Sequence, residues 1–192
     1  MVCFKLFNIS VKVSYFFLSI LAFLILLDRS GVLSVSLIAV SFHEIGHLIM
    51  MKFLKIQVES INFNVATIRV NTIGILSIKD NLCIALAGPL MNLILTFFLF
   101  SKIEILGYFG ISNLILFVFN LFPAKGLDGG DALYFLLNIL EVKSADKIYS
   151  FVSLFSISAL IISGGILFFF SKSNITLLLV GIYLLIFSFR KI

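Results

Sequence analysis

The sequence predicts an all-α polytopic membrane protein, with about six transmembrane helices, a small membrane-associated β region after the second and an interrupted fourth span. Three observations lead there. Of the 192 residues, 61% are hydrophobic and only 12% charged, whereas a soluble domain needs about a quarter of its residues charged to cover its surface. The apolar residues gather into long runs, several of them near the ~20 residues that a helix needs to cross a bilayer. Between the second and third runs the pattern changes to alternation, as expected of strands. The length suits a single domain over 1–192, with a core at about 31–141.

Taken in order, the first candidate span is Val11–Leu27, with Lys12 and Tyr15 at the interface. Lys5 and Lys12 ahead of an apolar run look like a signal peptide. The run ends Leu26-Leu27-Asp28-Arg29, however, with no small-x-small cleavage site, so it reads as a retained helix. Asp28 to Gly31 makes a tight turn, and the second span, Val32–Phe53, ends at Lys52 and Lys55. The β region covers 56–78. There Ile61-Asn62-Phe63-Asn64-Val65 alternates, and Ile68-Arg69-Val70 and Ile73-Gly74-Ile75 continue in β-rich composition, predicting two or three short strands. An ordinary surface hairpin accounts for them as well as a functional strand does.

The third span, Leu82–Phe100, contains Ala87-Gly88-Pro89-Leu90-Met91-Asn92. Gly88 permits close helix contact, Pro89 frees a backbone carbonyl, and Asn92 could hydrogen-bond across helices. Ile105–Phe122 is apolar again, but Pro123, Gly126, Gly129 and Gly130 then break the helix before the short apolar piece Ala132–Leu140. Non-helical backbone at membrane depth is tolerated where protein or a wet cavity surrounds it, which predicts one interrupted span with a functional break. Two C-terminal spans occupy 148–190, Ile148–Phe170 and Asn174–Phe189, with Gly164-Gly165 serving helix packing or a bend.

The formal charge of +5 does not call for nucleic acid, because no basic cluster is interleaved with aromatics. Placing Lys5, Lys12, Lys52, Lys55, Arg69, Lys79, Lys143, Lys147, Arg190 and Lys191 on one side leaves Arg29, Lys102 and Lys172 on the other. The positive-inside rule then puts both termini, the β region and the loop after the break on the cytoplasmic side. Cys3 and Cys83 stand far apart and form no C-x-x-C pair, so they read as small apolar residues.

Chemistry is concentrated in the second span. Ser41-Phe42-His43-Glu44-Ile45-Gly46-His47-Leu48 holds an H-E-x-x-H pattern inside Gly31 to Met51, a run with no other ionisable residue. On a helix His43 and His47 share one face and can bind one Zn²⁺, while Glu44 can act as base on a water at the metal. They are also the only two histidines in the chain. In a soluble protein such a match arises readily by chance. At bilayer depth, ionisable residues cost several kcal/mol unless paired or functional, which argues against chance here. A catalytic zinc generally has three protein ligands plus a water, so a carboxylate or thiolate must join the histidines. The candidates are Asp128, Asp131, Cys83 and Glu104. Asp128 leads, because Gly129 and Gly130 beside it let backbone approach a metal, although it could instead cap the helix that follows. Asp131 could cap the same helix, and Lys125 could snorkel to the interface or pair with Asp131.

Together, His43-Glu44-Ile45-Gly46-His47, Ala87-Gly88-Pro89-Leu90-Met91-Asn92 and Asn120-Leu121-Phe122-Pro123 leading to Leu127-Asp128-Gly129-Gly130 resemble the site-2 protease family of intramembrane zinc metalloproteases. The likeness runs from Val32 to Leu140. It implies His43, His47 and Asp128 as zinc ligands, Glu44 as catalytic base and Asn120 near the substrate or the developing oxyanion. Size, span count and a cytoplasmic site look most similar to the compact sporulation-associated branch that processes a membrane-tethered pro-sigma factor. That branch often carries a C-terminal CBS domain. The sequence stops at Ile192 after the sixth span, so ATP control does not carry over, and it shows no PDZ insertion. Two departures bear on the loop: Gly126 stands where many relatives have a second proline, and Asp131 where a basic residue is common.

The expected reaction is zinc-assisted hydrolysis of a peptide bond within the membrane plane. Its partners are the bilayer and a transmembrane or membrane-tethered protein substrate, which the Ile61 to Val65 stretch could hold by strand addition. A regulatory membrane protein is compatible with this, but no sequence feature identifies one. Two rival readings are a transporter or metal permease, for which a broken helix is also characteristic, and a non-catalytic zinc-binding scaffold.

Overall fold

The computed structural model describes residues 1–6, 9–63, 68–171 and 175–189. Along them run strands β1 (Val2–Leu6) and β2 (Ile9–Val13), helices α1 (Tyr15–Leu27) and α2 (Val32–Phe53), and strands β3 (Val58–Phe63) and β4 (Ile68–Thr72). Helix α3 (Ile78–Leu95) continues into a 3₁₀ segment, Thr96–Phe100, and α4 (Glu104–Asn120), α5 (Asp128–Ile139), α6 (Ala145–Ser171) and α7 (Thr176–Phe189) follow. Asn64, Val65, Lys172, Asn174, Arg190 and Lys191, named above, lie outside the described residues. The chain forms two compact units, Met1–Leu76 with Leu90–Leu116 and Ser77–Pro89 with Phe117–Ile192.

The first unit carries a four-stranded sheet in the order β1-β2-β3-β4. β1 and β2 pair antiparallel, β2 and β3 parallel, and β3 and β4 antiparallel. This corrects the all-α expectation at the N-terminus, where a span was expected to begin at Val11. Val11 and Val13 instead belong to β2, opposite Ile61 and Phe63 of β3, and the Ser14 amide donates to the Phe63 carbonyl at 3.0 Å. The residues of β2 alternate and include two β-branched valines, a local preference that the long-range parallel partner turns into a strand. Helix α1 is left with 13 residues, about 20 Å at 1.5 Å per residue. The parallel pairing also corrects the idea that a substrate adds to the Ile61 to Val65 stretch. β3 is paired on both sides over Ile61–Phe63, and the edges of the sheet are β1 and β4.

Helix α2 matches its expected bounds. Its buried residues, Val35, Ala39, His43, Gly46 and Met51, recur at three-, four- and five-residue steps and form one stripe. Ile38, Phe42, Ile45 and Ile49 are exposed on the other faces. In α4 the sorting is inverted relative to a soluble helix. Gly110, Ser112 and Asn113 are buried, while Ile111, Leu114, Ile115 and Val118 are exposed. Small and polar residues inside and large apolar residues outside suit a bilayer solvent. A Cβ on Gly110 would lie 2.3 Å from the Leu99 amide nitrogen, so glycine lets α4 approach the 3₁₀ segment.

In the second unit Ala124, Leu127, Ile157 and Leu184 form a buried cluster. Helices α6 and α7 meet at Gly164 and Gly181, where an added Cβ would come within 2.6 Å of the Leu178 amide nitrogen and 2.7 Å of Ile161 Cγ1. Packing, rather than a bend, is therefore what Gly164 serves. The break expected in the fourth span is present as residues 121–127 between α4 and α5.

Three helical stretches are long and apolar enough to cross a membrane, Val32–Phe53, Ile78–Phe100 and Ala145–Phe170. Tyr15–Leu27, Glu104–Asn120 and Thr176–Phe189 are apolar but shorter. Of the six expected spans, three reach full length among the described residues.

The turn before α2 is held by Asp28. Its Oδ2 accepts from the Ser34 amide at 2.8 Å and from Ser34 Oγ at 3.0 Å, and its Oδ1 accepts from Ser30 Oγ at 3.0 Å. This carboxylate satisfies one of the N-terminal amides that a helix leaves without an internal partner. The bond from the Ser34 amide holds the Asp28 carboxyl down at about 2, below its ordinary 3.8. A folded-state value below the unfolded one stabilises above the unfolded pKa and loses that effect as pH falls through the folded one. Asp28→Ala should therefore melt below wild type at neutral pH, with the gap closing between about pH 4 and pH 2. A gap that does not change with pH would show that the charge plays no part.

Candidate functional site

The buried stripe of α2 brings His43 and His47 together. Their rings meet edge to face with centroids 4.8 Å apart, and the two Nε2 atoms are separated by 3.2 Å. Two nitrogens bound to one tetrahedral zinc at about 2.0–2.1 Å stand about 3.3 Å apart. The pair thus already has the spacing of two corners of a zinc tetrahedron. Gly46 is buried on the same stripe. Glu44 follows His43 by one residue and is half-buried.

His43 is held from behind by Asn92, which is held in turn by Asn113. Its Nδ1 lies 2.5 Å from Asn92 Oδ1, and Asn92 Nδ2 donates to Asn113 Oδ1 at 2.8 Å. Asn113 Nδ2 in turn donates to the Phe109 carbonyl at 2.8 Å. Both asparagines are fully buried and His43 is 6% exposed, so these partners are not exchanged for water. Ser36 Oγ and Ser112 Oγ, 3.0 Å apart, tie α4 to α2 one residue from Asn113. Metal-binding histidines almost always donate the other ring N–H to an oxygen that orients the ring, and Asn92 Oδ1 stands where such an oxygen would. The sequence pointed to Asn92 as a cross-helix hydrogen bonder. Asn113 was missed, and its only signal was an amide side chain in the middle of the apolar run Ile105–Phe122, whose other amide, Asn120, stands at its end.

Asp128 belongs to the second unit, where it is the first residue of α5 and half-buried. The N-cap is Leu127, with no side-chain cap bond, so neither Asp128 nor Asp131 is the capping residue. Backbone satisfies the start of α5 instead, since the Gly130 and Asp131 amides both donate to the Leu127 carbonyl. The two glycines after Asp128 serve close approach, as expected, although what they approach is backbone. A Cβ on Gly129 would fall 2.1 Å from the Leu121 carbonyl oxygen, and one on Gly130 would fall 2.2 Å from that of Ala124. The Lys125 amide donates to Ser153 Oγ at 2.8 Å, and its ammonium donates to the Ser188 carbonyl at 3.1 Å. Lys125 is thus bonded to α7, where Asp131 had been considered as its partner. Gly126 has φ +97°, which proline, fixed near −65°, cannot adopt. Asn120 is the last residue of α4, directly ahead of the break. Cys83 and Glu104 are both exposed.

No family model matches the sequence, and neither does any curated protein. Among solved structures, the chain is similar to the site-2 protease from Methanocaldococcus jannaschii, at 25% sequence identity and a TM-score of 0.63. The match covers 100% of this chain and 96% of that one. The similarity supports an intramembrane metalloprotease at family level.

The contact of Gly129 with the loop carbonyls gives a direct test. Gly129→Ala has to move the Leu121 carbonyl, and overpacking of this kind typically costs about 1–3 kcal/mol. The variant should melt below wild type in detergent, whereas Gly165→Ala, with nothing within 4 Å of its Cβ, should not. Equal melting of Gly129→Ala and wild type would show that α5 is not held by this approach.

Proposed function

We propose that the chain is an intramembrane zinc metalloprotease that cleaves a transmembrane or membrane-tethered protein. His43, His47 and Asp128 are its zinc ligands, Glu44 its base, and Asn120 a donor to the developing oxyanion. The observation that carries the reading is the Nε2 spacing of the histidine pair, 3.2 Å, with an amide oxygen behind His43. Two imidazoles and a carboxylate, the donor set of His43, His47 and Asp128, also make up a recognised type of catalytic zinc site.

When bound, zinc supplies a Lewis acid that polarises the scissile carbonyl and lowers the pKa of a water toward 7. The chain's own residues do the rest. Asn92 orients the His43 ring. Glu44 takes the proton of the attacking water and returns it to the leaving amine. Asn120 donates a hydrogen bond to the oxyanion, an interaction worth about 3 kcal/mol in comparable sites. The substrate class to try first is a membrane-tethered transcription-factor precursor such as a pro-sigma factor. Lys5, Lys12, Lys52 and Lys55 favour a cytoplasmic position for the sheet. A metal permease is not favoured, because the likeness to a protease runs along the whole chain.

The test is co-expression with candidate precursors from the same genome, together with zinc analysis of the purified protein. Glu44→Gln should keep its zinc and lose cleavage by roughly 100-fold or more. Asp128→Ala should lose zinc and cleavage together. Zinc retained in Asp128→Ala would move the third ligand to Asp131 or Cys83. Cleavage retained in Glu44→Gln would exclude Glu44 as the base.

A further inference from the structure

We propose that Asn113 is a positioning residue which, acting through Asn92, fixes His43 in the tautomer that carries hydrogen on Nδ1 and a lone pair on Nε2. The inference rests on the metal-site reading above and deepens it. It names what decides which histidine nitrogen can bind the metal.

One group in this chain of amides has no choice of role. The Phe109 backbone carbonyl can only accept, so the Asn113 atom 2.8 Å from it is the amide nitrogen. That turns Asn113 Oδ1 toward Asn92, where it too can only accept, and the Asn92 atom 2.8 Å away is therefore Nδ2. The second hydrogen of Asn92 Nδ2 faces the Ala39 carbonyl at 3.5 Å, which favours the same orientation. Asn92 then has only its oxygen to offer His43 Nδ1, and that nitrogen must carry the hydrogen. Flipping Asn92 would set its oxygen against Asn113 Oδ1 and leave two acceptors facing each other without a proton. Both amides have no exposed surface, so water cannot repair the mismatch. The placement of Asn113 is fixed independently: Gly110 lets α4 approach the Leu99 backbone, and Ser112 meets Ser36.

The whole chain, purified in detergent with ¹⁵N-labelled histidine, allows the tautomer to be read directly. With only two histidines present, the spectrum is simple to assign. In zinc-free wild type, neutral His43 should carry hydrogen on Nδ1. Hydrogen on Nε2 would overturn the proposal without recourse to any variant. Asn113→Leu keeps the volume but removes the acceptor that orients Asn92, and should populate the Nε2–H form and weaken zinc affinity by about 10–100-fold in chelator competition. Asn113→Asp should restore both, since a protonated carboxyl in this buried place can donate to Phe109 and accept from Asn92. Ser112→Ala removes the neighbouring tie between α2 and α4 but leaves the relay in place, and should keep both tautomer and affinity. An equal loss of affinity in Ser112→Ala and Asn113→Leu would mean that α4 acts by packing alone, and the proposal would fall. A wild type that shows the Nδ1–H form but binds no zinc would keep the relay and overturn the metal-site reading.

Discussion

In hydrocarbon a polar group that loses its partner finds no water to replace it, and the arrangement around His43 follows from that constraint. Polar side chains are driven inward because only protein can satisfy them, so α4 buries Gly110, Ser112 and Asn113 and exposes its large apolar residues. The same pressure keeps His43 on the inner stripe of α2. Once inside, each donor needs an acceptor and each acceptor a donor. A short chain of amides can satisfy all of them only if it has one direction, and here the Phe109 carbonyl sets it. A buried network that is fully satisfied holds its members rigidly. Rigidity is what a metal ligand needs from the residues behind it.

The break between α4 and α5 answers the same constraint with backbone. Non-helical residues in an apolar surrounding must find partners close by, and several amides of 121–127 do. Ala124 donates to the Phe122 carbonyl, Leu127 to that of Ala124, and Lys125 to Ser153 Oγ. Gly129 and Gly130 bring the first turn of α5 against this loop, at distances that no side chain permits. Asp128 is therefore presented from a helix start fastened to its own preceding loop. The glycine at 126, a departure from the family pattern, belongs to this local shape, because its positive φ is closed to the proline found in many relatives.

Much of this was legible in the chain. Helix α2 has its expected bounds, and the interrupted span divides where Pro123 and the glycines predicted. Hydropathy and breakers act locally, and these features are local. The N-terminus was misread because what makes Ile9–Val13 a strand is β3, about fifty residues away, and a hydropathy reading sees only apolar residues leading into a helix. The alternative of Asp128 or Asp131 as a cap falls away for a related reason. Aspartate is a good N-cap in isolation, but at the start of α5 the Leu127 carbonyl does the bonding and the capping position falls one residue earlier. The histidine pair was visible as a motif. Asn113 was not, because an amide in the middle of an apolar run has no spacing that ties it to residues seventy positions away.

The sheet bears on how a substrate would reach such a site. A helical peptide has its amides and carbonyls bonded internally and cannot present a peptide bond for attack until it is extended. An extended segment in an apolar surrounding must have its backbone groups satisfied by a neighbour, and a sheet edge offers them. β2 and β3 are interior strands with both sides occupied, which leaves β1 and β4 as the edges. β4 leads directly toward α3, the helix that carries Asn92, whereas β1 is the N-terminal strand. β1 pairs with β2, and β2 pairs parallel with β3, the strand that follows α2 and its histidines. The N-terminal hairpin is thus joined through β2 to the strand that follows α2.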